Sequence, residues 1–169
     1  MKNVTIIGGG TAGWLSAMFI STQIDNISVT LVESKSIGIV GVGEGTTPNI
    51  KSFLNQLGID ESDFMAKTEA TKKIGIAFEN WPGDDSSFNH DFYNNNYAYH
   101  FDTHTIGNYF KDIGLSRNIN HIEDNVVGFD KDGDVIKTIH LENTDSIDTD
   151  FVIDCSGFAK LVVGNELNG

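Results

Sequence analysis

The sequence predicts an α/β fold, in which an antiparallel β-meander is added to a central parallel sheet, from three observations. A short buried strand, residues 3–7, runs directly into glycines and an apolar helix. A second apolar strand follows and ends in Glu33. Strand-like segments then fill the stretch from about 122 to 153. A strand, a glycine turn, a helix and a strand ending in an acid (3–33) are typical of the first βαβ unit of a Rossmann-like dinucleotide-binding domain.

The length and composition of the chain narrow the kinds of protein it can be. With 169 residues, 39% of them hydrophobic, the chain is expected to form a single domain over 1–169. A net charge of -13 repels phosphate backbones, so we expect no nucleic-acid partner. No apolar run reaches the roughly 18 residues of a membrane span, so we expect no membrane partner. The start lacks a signal-peptide pattern and Cys155 is the single cysteine, which together predict a cytoplasmic protein.

The glycine turn has the spacing G-x-G-x-x-G on Gly8, Gly10 and Gly13. A backbone that passes close to a pyrophosphate leaves no room for a Cβ, and the free N–H groups of the following helix bind the phosphate oxygens. Glu33 lies twenty residues beyond Gly13, where its carboxylate can accept hydrogen bonds from ribose hydroxyls and would repel a 2′-phosphate. The alternative is a glycine turn that serves only helix–strand packing.

The middle of the chain predicts mixed elements. Thr47 is expected to cap a helix with Pro48 in its first position and Gly58 after its end. Asp60 is expected to begin a further short helix. Residues 73–81 are predicted to be a strand and 82–97 a polar loop. A helix should follow from Asp102 to about Ile113, ended by Gly114.

The last third favours FAD over NAD as the cofactor. Segments 122–129 and 135–141 flank a Lys-Asp-Gly-Asp hairpin signal, and 151–154 is a third strand. NAD domains usually continue with alternating strands and helices. In large FAD-binding folds a meander of this kind (122–153) replaces a crossover helix, and a strand ending in D-x-x-G, here 154–157, returns to the cofactor. A meander of another α+β domain remains the alternative.

Five segments in a fixed order resemble the N-terminal part of the flavin-dependent tryptophan halogenases. They are GGGTAGW (8–14), ESKSIGIVGVGEGTTP (33–48), FENW (78–81), YHFD (99–102) and DFVIDCSG (150–157). The stretch VGVGEGTTP is the most specific of them. Within 37–48 the glycines allow the backbone to lie against a planar ring, and N–H groups at the start of the next helix could face the isoalloxazine. The alternative is a flexible surface strap.

The resemblance implies halogenation of an aromatic substrate such as tryptophan or indole. Reduced FAD, supplied by a separate flavin reductase, would react with O2 to a flavin hydroperoxide, which a halide attacks to give hypohalous acid. A C-terminal complementing chain is a further implied partner, because the later elements of the family lie beyond Gly169. The predicted cofactor-binding residues are Gly8, Gly10, Thr11, Ala12, Gly13, Glu33, Val40, Gly41, Gly43, Glu44, Thr46, Thr47, Pro48, Val126, Asp154 and Gly157.

The reactive lysine of that family falls on Ala77 in this sequence, so no catalytic residue is assigned. Lys73, four residues earlier, is a weak candidate. Two other functions therefore stay open, a non-catalytic or partner-dependent flavin-binding module and a fragment of another FAD-dependent monooxygenase or reductase. No metal site is predicted, because His100 and His104 lack further ligands at a matching spacing.

Overall fold

The computed structural model describes residues 2–38, 41, 43–81, 83, 85–94 and 96–164. Its strands are β1 (Lys2–Ile7), β2 (Ile27–Glu33), β3 (Gly43–Gly45), β4 (Thr71–Lys73), β5 (Gly75–Glu79), β6 (Ser87–Asp91), β7 (Ala98–Asp102), β8 (Asn120–Glu123), β9 (Val126–Asp132), β10 (Val135–Leu141), β11 (Ile147–Asp148) and β12 (Phe151–Asp154). Its α-helices are α1 (Thr11–Gln23), α2 (Asn49–Gln56), α3 (Glu61–Thr68) and α4 (Thr103–Ser116), and a 3-10 helix spans Gly157–Ala159.

The chain divides into two compact units, Met1–Val40 with Gly107–Gly169, and Gly41–Ile106. Each unit has its own sheet or sheets. The organisation of the whole chain as a single domain stays a prediction. None of the helices in the described part of the chain combines the length and the apolar character needed to cross a membrane.

A parallel sheet forms the centre of the first unit. Its strand order is β12-β1-β2-β8, and each neighbouring pair runs parallel. Val4, Ile6 and Ile7 of β1 are buried, as expected of a strand covered on both faces. Helix α1 connects β1 to β2 and buries Trp14 completely. The predicted fold class, a Rossmann-like domain with an added meander, is confirmed.

The meander is shorter than predicted. Its sheet has the order β11-β10-β9, so it runs from Val126 to Asp148, and the predicted hairpin joins β9 to β10 with Gly133 at φ +60°. The segment expected to begin at 122 divides in two, because β8 pairs with β2 of the parallel sheet. The strand at 151–154 likewise pairs with β1. No glycine or proline marks the break at Asp124-Asn125, which is why the sequence suggested one strand.

The meander packs against the parallel sheet through one apolar cluster. Its buried members come from both sheets and from the segment after the 3-10 helix: Ile7, Val32, Ile136, Ile139, Leu141 and Val162. Ile139 is fully buried. The burial of these apolar side chains holds the meander against one face of the parallel sheet.

The second unit has a three-stranded antiparallel sheet of order β3-β7-β4. Phe64 of α3 makes edge contacts with Tyr99 and Phe101 of β7, at ring-centroid distances of 5.2 and 6.3 Å. Asp60 caps α3 as predicted, since its carboxylate accepts from the Asp63 N–H at 2.9 Å. The predicted Thr47 cap of α2 was wrong, because the cap residue is Pro48 and no side chain caps that end.

Two of the predicted boundaries in this unit were also wrong. The expected strand 73–81 is interrupted at Ile74, where β4 ends and β5 begins in a different, two-stranded sheet. The expected loop 82–97 contains β6, which pairs antiparallel with β5. Every residue of β6 is exposed, so the strand lacks the apolar alternation by which a half-buried strand is recognised in sequence.

Helix α4 continues two residues beyond the predicted end at Gly114. A Cβ at Gly114 would stand 2.5 Å from Cε3 and Cζ3 of the fully buried Trp14. Gly114→Ala is therefore expected to destabilise the protein by about 1–3 kcal/mol in urea unfolding, since the core must shift to admit the methyl group. At an unobstructed helical position the same change stabilises by about 0.5–1 kcal/mol, so a gain in stability would contradict this packing.

Candidate functional site

The candidate site of the first unit lies at the carboxyl ends of its parallel strands. Ile7 is in register with Asp154 of β12 on one side and Val32 of β2 on the other, and Glu33 is in register with Glu123 of β8. Gly8 follows Ile7 directly. In open parallel sheets this edge is where ligands bind. The topology therefore brings the glycine turn, the Glu33 acid and the Asp154 turn to one edge.

The three fingerprint glycines have three different surroundings. Gly8 has φ +115°, and a Cβ there would overlap the carbonyl oxygen of Cys155. A Cβ at Gly13 would overlap the carbonyl oxygen of Gly8, so this glycine allows α1 to pack on β1. A Cβ at Gly10 would meet nothing within 4 Å. The open space in front of Gly10, at the start of α1, is where the fingerprint requires close approach of a pyrophosphate.

The next two positions, Thr11 and Ala12, form the first turn of α1, and the first turn holds no acidic side chain. Trp14 N–H donates to the Gly10 carbonyl at 3.1 Å, which closes the first helical hydrogen bond. The N–H groups of Ala12 and Gly13 precede that bond and, as in any α-helix, point out of the start of the helix. They are the donors that an anion at the helix start would use.

The Glu33 carboxylate is held by two side chains through one of its oxygens. Oε1 accepts from Lys111 Nζ of α4 at 2.5 Å and contacts His121 Nε2 of β8 at 2.8 Å. Lys111 also contacts Oε1 of Glu123 at 3.4 Å, and Lys35 contacts Oε2 of Glu123 at 3.2 Å. The result is a series in which cations and carboxylates alternate, Lys35, Glu123, Lys111 and Glu33, at the carboxyl ends of β2 and β8.

Two pKa values reflect this network. Burial lowers the pKa of Lys111, but the hydrogen bonds and charges of Glu33 and Glu123 outweigh burial and hold it above the usual value. Hydrogen bonds from Lys35 and then Lys111 hold the pKa of Glu123 below its usual value. Both groups are therefore charged at neutral pH.

A cavity of ≈ 280 Å³ opens beside the Glu33 network. Its lining comes from the glycine turn, the end of β2 and its following segment, α4 and β8: Gly9, Glu33, Ser34, Lys35, Ile37, Gly38, Gly107, Asn108, Lys111 and Glu123. Ligand atoms of Glu33, His121 and Glu123 lie within 4.8 Å of one another, a grouping that a cation could use. The Lys111 ammonium contacts both of these carboxylates.

Lys111, His121 and Glu123 are the site residues that the sequence did not predict. Lys111 is 78 residues from Glu33, and no local spacing links the two. His121 and Glu123 alternate along β8, so both could have been found had β8 been assigned to the parallel sheet beside β2. Because the meander was predicted to begin at residue 122, His121 and Glu123 were not placed beside Glu33 from the sequence.

Asp154 organises its own turn. One carboxylate oxygen accepts from the Ser156 N–H and hydroxyl, and the other accepts from the N–H groups of Val162 and Val163 at 2.9 and 3.2 Å. Burial raises the pKa of Asp154, but these hydrogen bonds outweigh burial and hold it below the usual value. Gly157, at φ +63°, begins the 3-10 helix and has open space at its Cβ position.

Val126, also predicted to contact the cofactor, begins β9. Its side chain is partly buried and packs against the apolar cluster between the meander and the parallel sheet. That packing is a structural role for the side chain, and a cofactor contact through this residue stays a prediction.

The glycine-rich segment of the second unit is described from Gly41 and from residue 43 onwards, so the predicted contact at Val40 lies outside the described residues. Gly41 has φ +133°, and a Cβ there would stand 3.2 Å from the Thr103 hydroxyl oxygen. Gly43 and Glu44 belong to β3, which pairs with β7. Gly43–Gly45 of this segment are thus part of a sheet.

Thr46 joins this segment to β7. Its N–H donates to the Tyr99 carbonyl at 2.9 Å, and its hydroxyl oxygen accepts from the Tyr99 N–H at 2.9 Å. A cavity of ≈ 560 Å³ lies next to it and is lined by Thr46, Thr47, Asn49, Ile50, Ser52, Phe53 and Gln56. Pro48 leads from this lining into α2. Two of the predicted cofactor residues therefore line the cavity of this unit.

Lys73 and Ala77 lie on different strands. Lys73 Nζ donates to the Thr46 carbonyl at 3.1 Å, so this ammonium supports the glycine-rich segment. Ala77 lies in β5, is exposed, and pairs with Asn89. Both residues fall within the predicted strand 73–81, but that strand is broken at Ile74.

Comparison with known proteins identifies relatives over the whole chain. The profile of the family described as tryptophan halogenase matches residues 3–95 and 92–169. Tryptophan 7-halogenase RebH of Lentzea aerocolonigenes is 25% identical over 235 aligned residues, covering 99% of this chain and 44% of that protein. The 7-chloro-L-tryptophan 6-halogenase KtzR of Kutzneria sp. (strain 744) is 48% identical over 79 residues, which are 46% of this chain and 15% of that protein.

Solved structures give the same result. The tryptophan 6-halogenase SttH of Streptomyces toxytricini superposes with a TM-score of 0.89 at 26% identity, covering 99% of this chain and 44% of that one. Xcc4156, a flavin-dependent halogenase from Xanthomonas campestris, superposes with a TM-score of 0.88 at 31% identity, covering 98% and 44%. The chain therefore spans less than half the length of the relatives it matches.

Proposed function

We propose that this chain, which belongs to the tryptophan halogenase family, is the FAD-binding portion of a flavin-dependent, halogenase-like oxidoreductase. The observation that carries the proposal is the pairing of open space at Gly10 with the acid Glu33 at one edge of a parallel sheet. A dinucleotide needs both, a place for its pyrophosphate and an acceptor for its ribose.

The residues of the first unit fit the adenosine and pyrophosphate of FAD. Substituting Gly10 would fill an otherwise empty cradle at the start of α1, whose first-turn N–H groups would bind the phosphate oxygens. Glu33 borders the ≈ 280 Å³ cavity and would accept from the ribose. Local donors matter here, because the net charge of -13 opposes anion binding overall.

In the second unit, the glycine-rich segment from Gly41 to Pro48 would hold the isoalloxazine. Thr46 and Thr47 line the ≈ 560 Å³ cavity, which offers apolar surface from Ile50 and Phe53. Two hydrogen bonds would keep this segment in place. The Thr46 hydroxyl accepts from the Tyr99 N–H of β7, and the Thr46 carbonyl accepts from Lys73 Nζ. These roles follow from the family resemblance and from the open cavity.

When bound and reduced, the flavin would supply the activation of O2 that lets a halide be oxidised for transfer to an aromatic substrate. The part of this chain is to bind and orient the cofactor and to exclude water from it. By analogy with the relatives, whose names specify tryptophan, we propose an indole-type substrate for the complete enzyme. Cytoplasmic localisation, a separate flavin reductase and a C-terminal complementing chain belong to the same proposal.

A second candidate function is a flavin-binding module that does not halogenate by itself. The observation favouring it is Ala77, which stands where the family has its reactive lysine and offers no amine. Lys73 does not lie on the same strand as Ala77, because β4 ends before β5 begins. It therefore does not stand in the position of that lysine. A module of this kind would still bind FAD.

The proposal is tested by titrating the full 169-residue chain with FAD and following flavin fluorescence. We expect saturable binding in the micromolar range or tighter, and weaker binding of FMN, which lacks the adenosine. A chain that leaves FAD fluorescence unchanged would overturn both candidate functions. Product formation from tryptophan with chloride or bromide, O2 and a flavin reductase would then separate the enzyme from the module.

A further inference from the structure

The Glu33 carboxylate uses its two oxygens differently. Oε1 contacts both Lys111 Nζ, at 2.5 Å, and His121 Nε2, at 2.8 Å. Oε2 has no hydrogen-bond partner among the described residues, and it lies against Gly9, where a Cβ would overlap it. One oxygen is thus anchored to protein, while the other is available at the glycine turn.

Lys111 is the cation that makes this arrangement possible. Its side chain is 29% exposed and that of Glu33 is 17% exposed, so the pair is partly withdrawn from water. A partly buried, charge-assisted hydrogen bond is stronger and more directional than an exposed ion pair. The second contact of Lys111, to Glu123, orients the ammonium from the neighbouring strand.

We propose that Lys111 is a positioning residue of the ribose site, which holds Oε1 of Glu33 so that Oε2 faces the ribose hydroxyls of a bound dinucleotide. This inference rests on the proposed binding of FAD. Lys111 also offsets the charge of two adjacent carboxylates, Glu33 and Glu123, which would otherwise repel each other and the cofactor phosphates. Lys111 acts through Glu33, so its effect depends on the ribose hydroxyls.

The test compares FAD with an FAD analogue whose adenosine is 2′,3′-dideoxy. Binding of both ligands is measured by flavin fluorescence for the full-length wild type, Lys111→Met, Lys111→Arg and the control Lys137→Met. Lys137 is exposed on the meander strand β10. Thermal unfolding of each variant checks the fold. If Lys111→Met fails to fold, Lys111→Gln, which removes the positive charge but keeps a polar side chain, carries the same comparison.

We expect Lys111→Met to raise the Kd of FAD by about tenfold, the effect of losing one charge-assisted hydrogen bond that positions the acceptor. The Kd of the dideoxy analogue should stay within about twofold of the wild type, because that analogue has no hydroxyl for Glu33. Lys111→Arg should recover most of the FAD affinity, and Lys137→Met should match the wild type.

Two results would overturn the inference while leaving FAD binding intact. One is an equal loss of affinity for FAD and the dideoxy analogue in Lys111→Met, which indicates a general structural role. The other is wild-type FAD affinity in that variant. Failure of the wild type to bind FAD is a different result, which overturns the proposed function and this inference together.

Discussion

Replacing Gly10 by valine is expected to abolish FAD binding at micromolar concentrations while the protein stays folded. The valine side chain would occupy the open space at the start of α1, where the pyrophosphate is proposed to lie. Close approach of the backbone to the phosphates is the reason for glycine at this position of the fingerprint. Loss of the phosphate contacts of several N–H groups should raise the Kd by at least about 100-fold, or about 2.8 kcal/mol.

The fold should tolerate the change because Gly10 has ordinary backbone angles, φ -73° and ψ -178°. Its Cβ position is free of neighbours within 4 Å. Gly8 is the contrasting case, since it combines φ +115° with an overlap between a Cβ and the Cys155 carbonyl. Gly8→Val should therefore unfold or strongly destabilise the protein, whereas Gly10→Val separates ligand binding from folding.

FAD titration and thermal unfolding, run in parallel on Gly10→Val and Gly128→Val, check this expectation. Gly128 lies in β9, and a Cβ there makes only an ordinary contact, 3.7 Å from His140 Cδ2. Both variants should melt close to the wild type, and only Gly10→Val should lose FAD. Wild-type FAD affinity in a folded Gly10→Val would exclude the glycine turn as the pyrophosphate site.

Much of the first unit could be predicted from sequence because its signals are local. The strand, glycine turn, helix and second strand of residues 2–33 follow one another without insertion, and each has its own chemical signature. Glu33 was predicted at the end of β2, and it lies there. The meander was predicted from its Lys-Asp-Gly-Asp turn. This signal is local, because the turn requires a positive φ and Gly133 supplies it.

The rest depends on pairing between elements, which the pattern within a single segment does not specify. Lys111 reaches Glu33 only because α4 packs where it does, and His121 reaches it only because β8 joins the parallel sheet. Strand β6 is exposed throughout and owes its conformation to pairing with β5. In each case the contact with another element, rather than the pattern of the segment itself, determines the outcome.

Replacing the buried Asp124 by asparagine is expected to lower the stability of the protein. Asp124 is 5% exposed and follows β8, where the parallel sheet passes into the meander. One carboxylate oxygen accepts from Asn125 N–H at 2.8 Å and Asn143 Nδ2 at 2.9 Å. The other accepts from Asn143 N–H at 3.0 Å and from the Thr144 N–H and hydroxyl, both at 2.8 Å.

This carboxylate fixes the β10–β11 turn beside the end of β8. Asp124 N–H also donates to the Glu33 carbonyl at 3.0 Å, so the same residue ties the turn to the strand that carries the proposed ribose acid. Asp124→Asn keeps the shape of the side chain but turns an NH2 group toward donors. We expect the melting temperature to fall by on the order of 5–10 °C at neutral pH, since five part-buried hydrogen bonds lose their charged acceptor.

The loss should disappear at low pH, because it depends on the carboxylate form. Burial raises the pKa of Asp124, but the hydrogen bonds from Asn143, then Thr144 and Asn125, outweigh burial and hold it far below the usual value. A folded-state pKa below the unfolded value of about 3.9 contributes stability above roughly pH 4, and that contribution is lost as the pH falls toward the folded-state pKa. The melting temperatures of wild type and Asp124→Asn should therefore converge below about pH 4.

Asp145→Asn, an exposed change in the same turn, should melt like the wild type throughout. A constant difference between wild type and Asp124→Asn from pH 7 to pH 3 would mean that shape, rather than the charged acceptor, stabilises the turn.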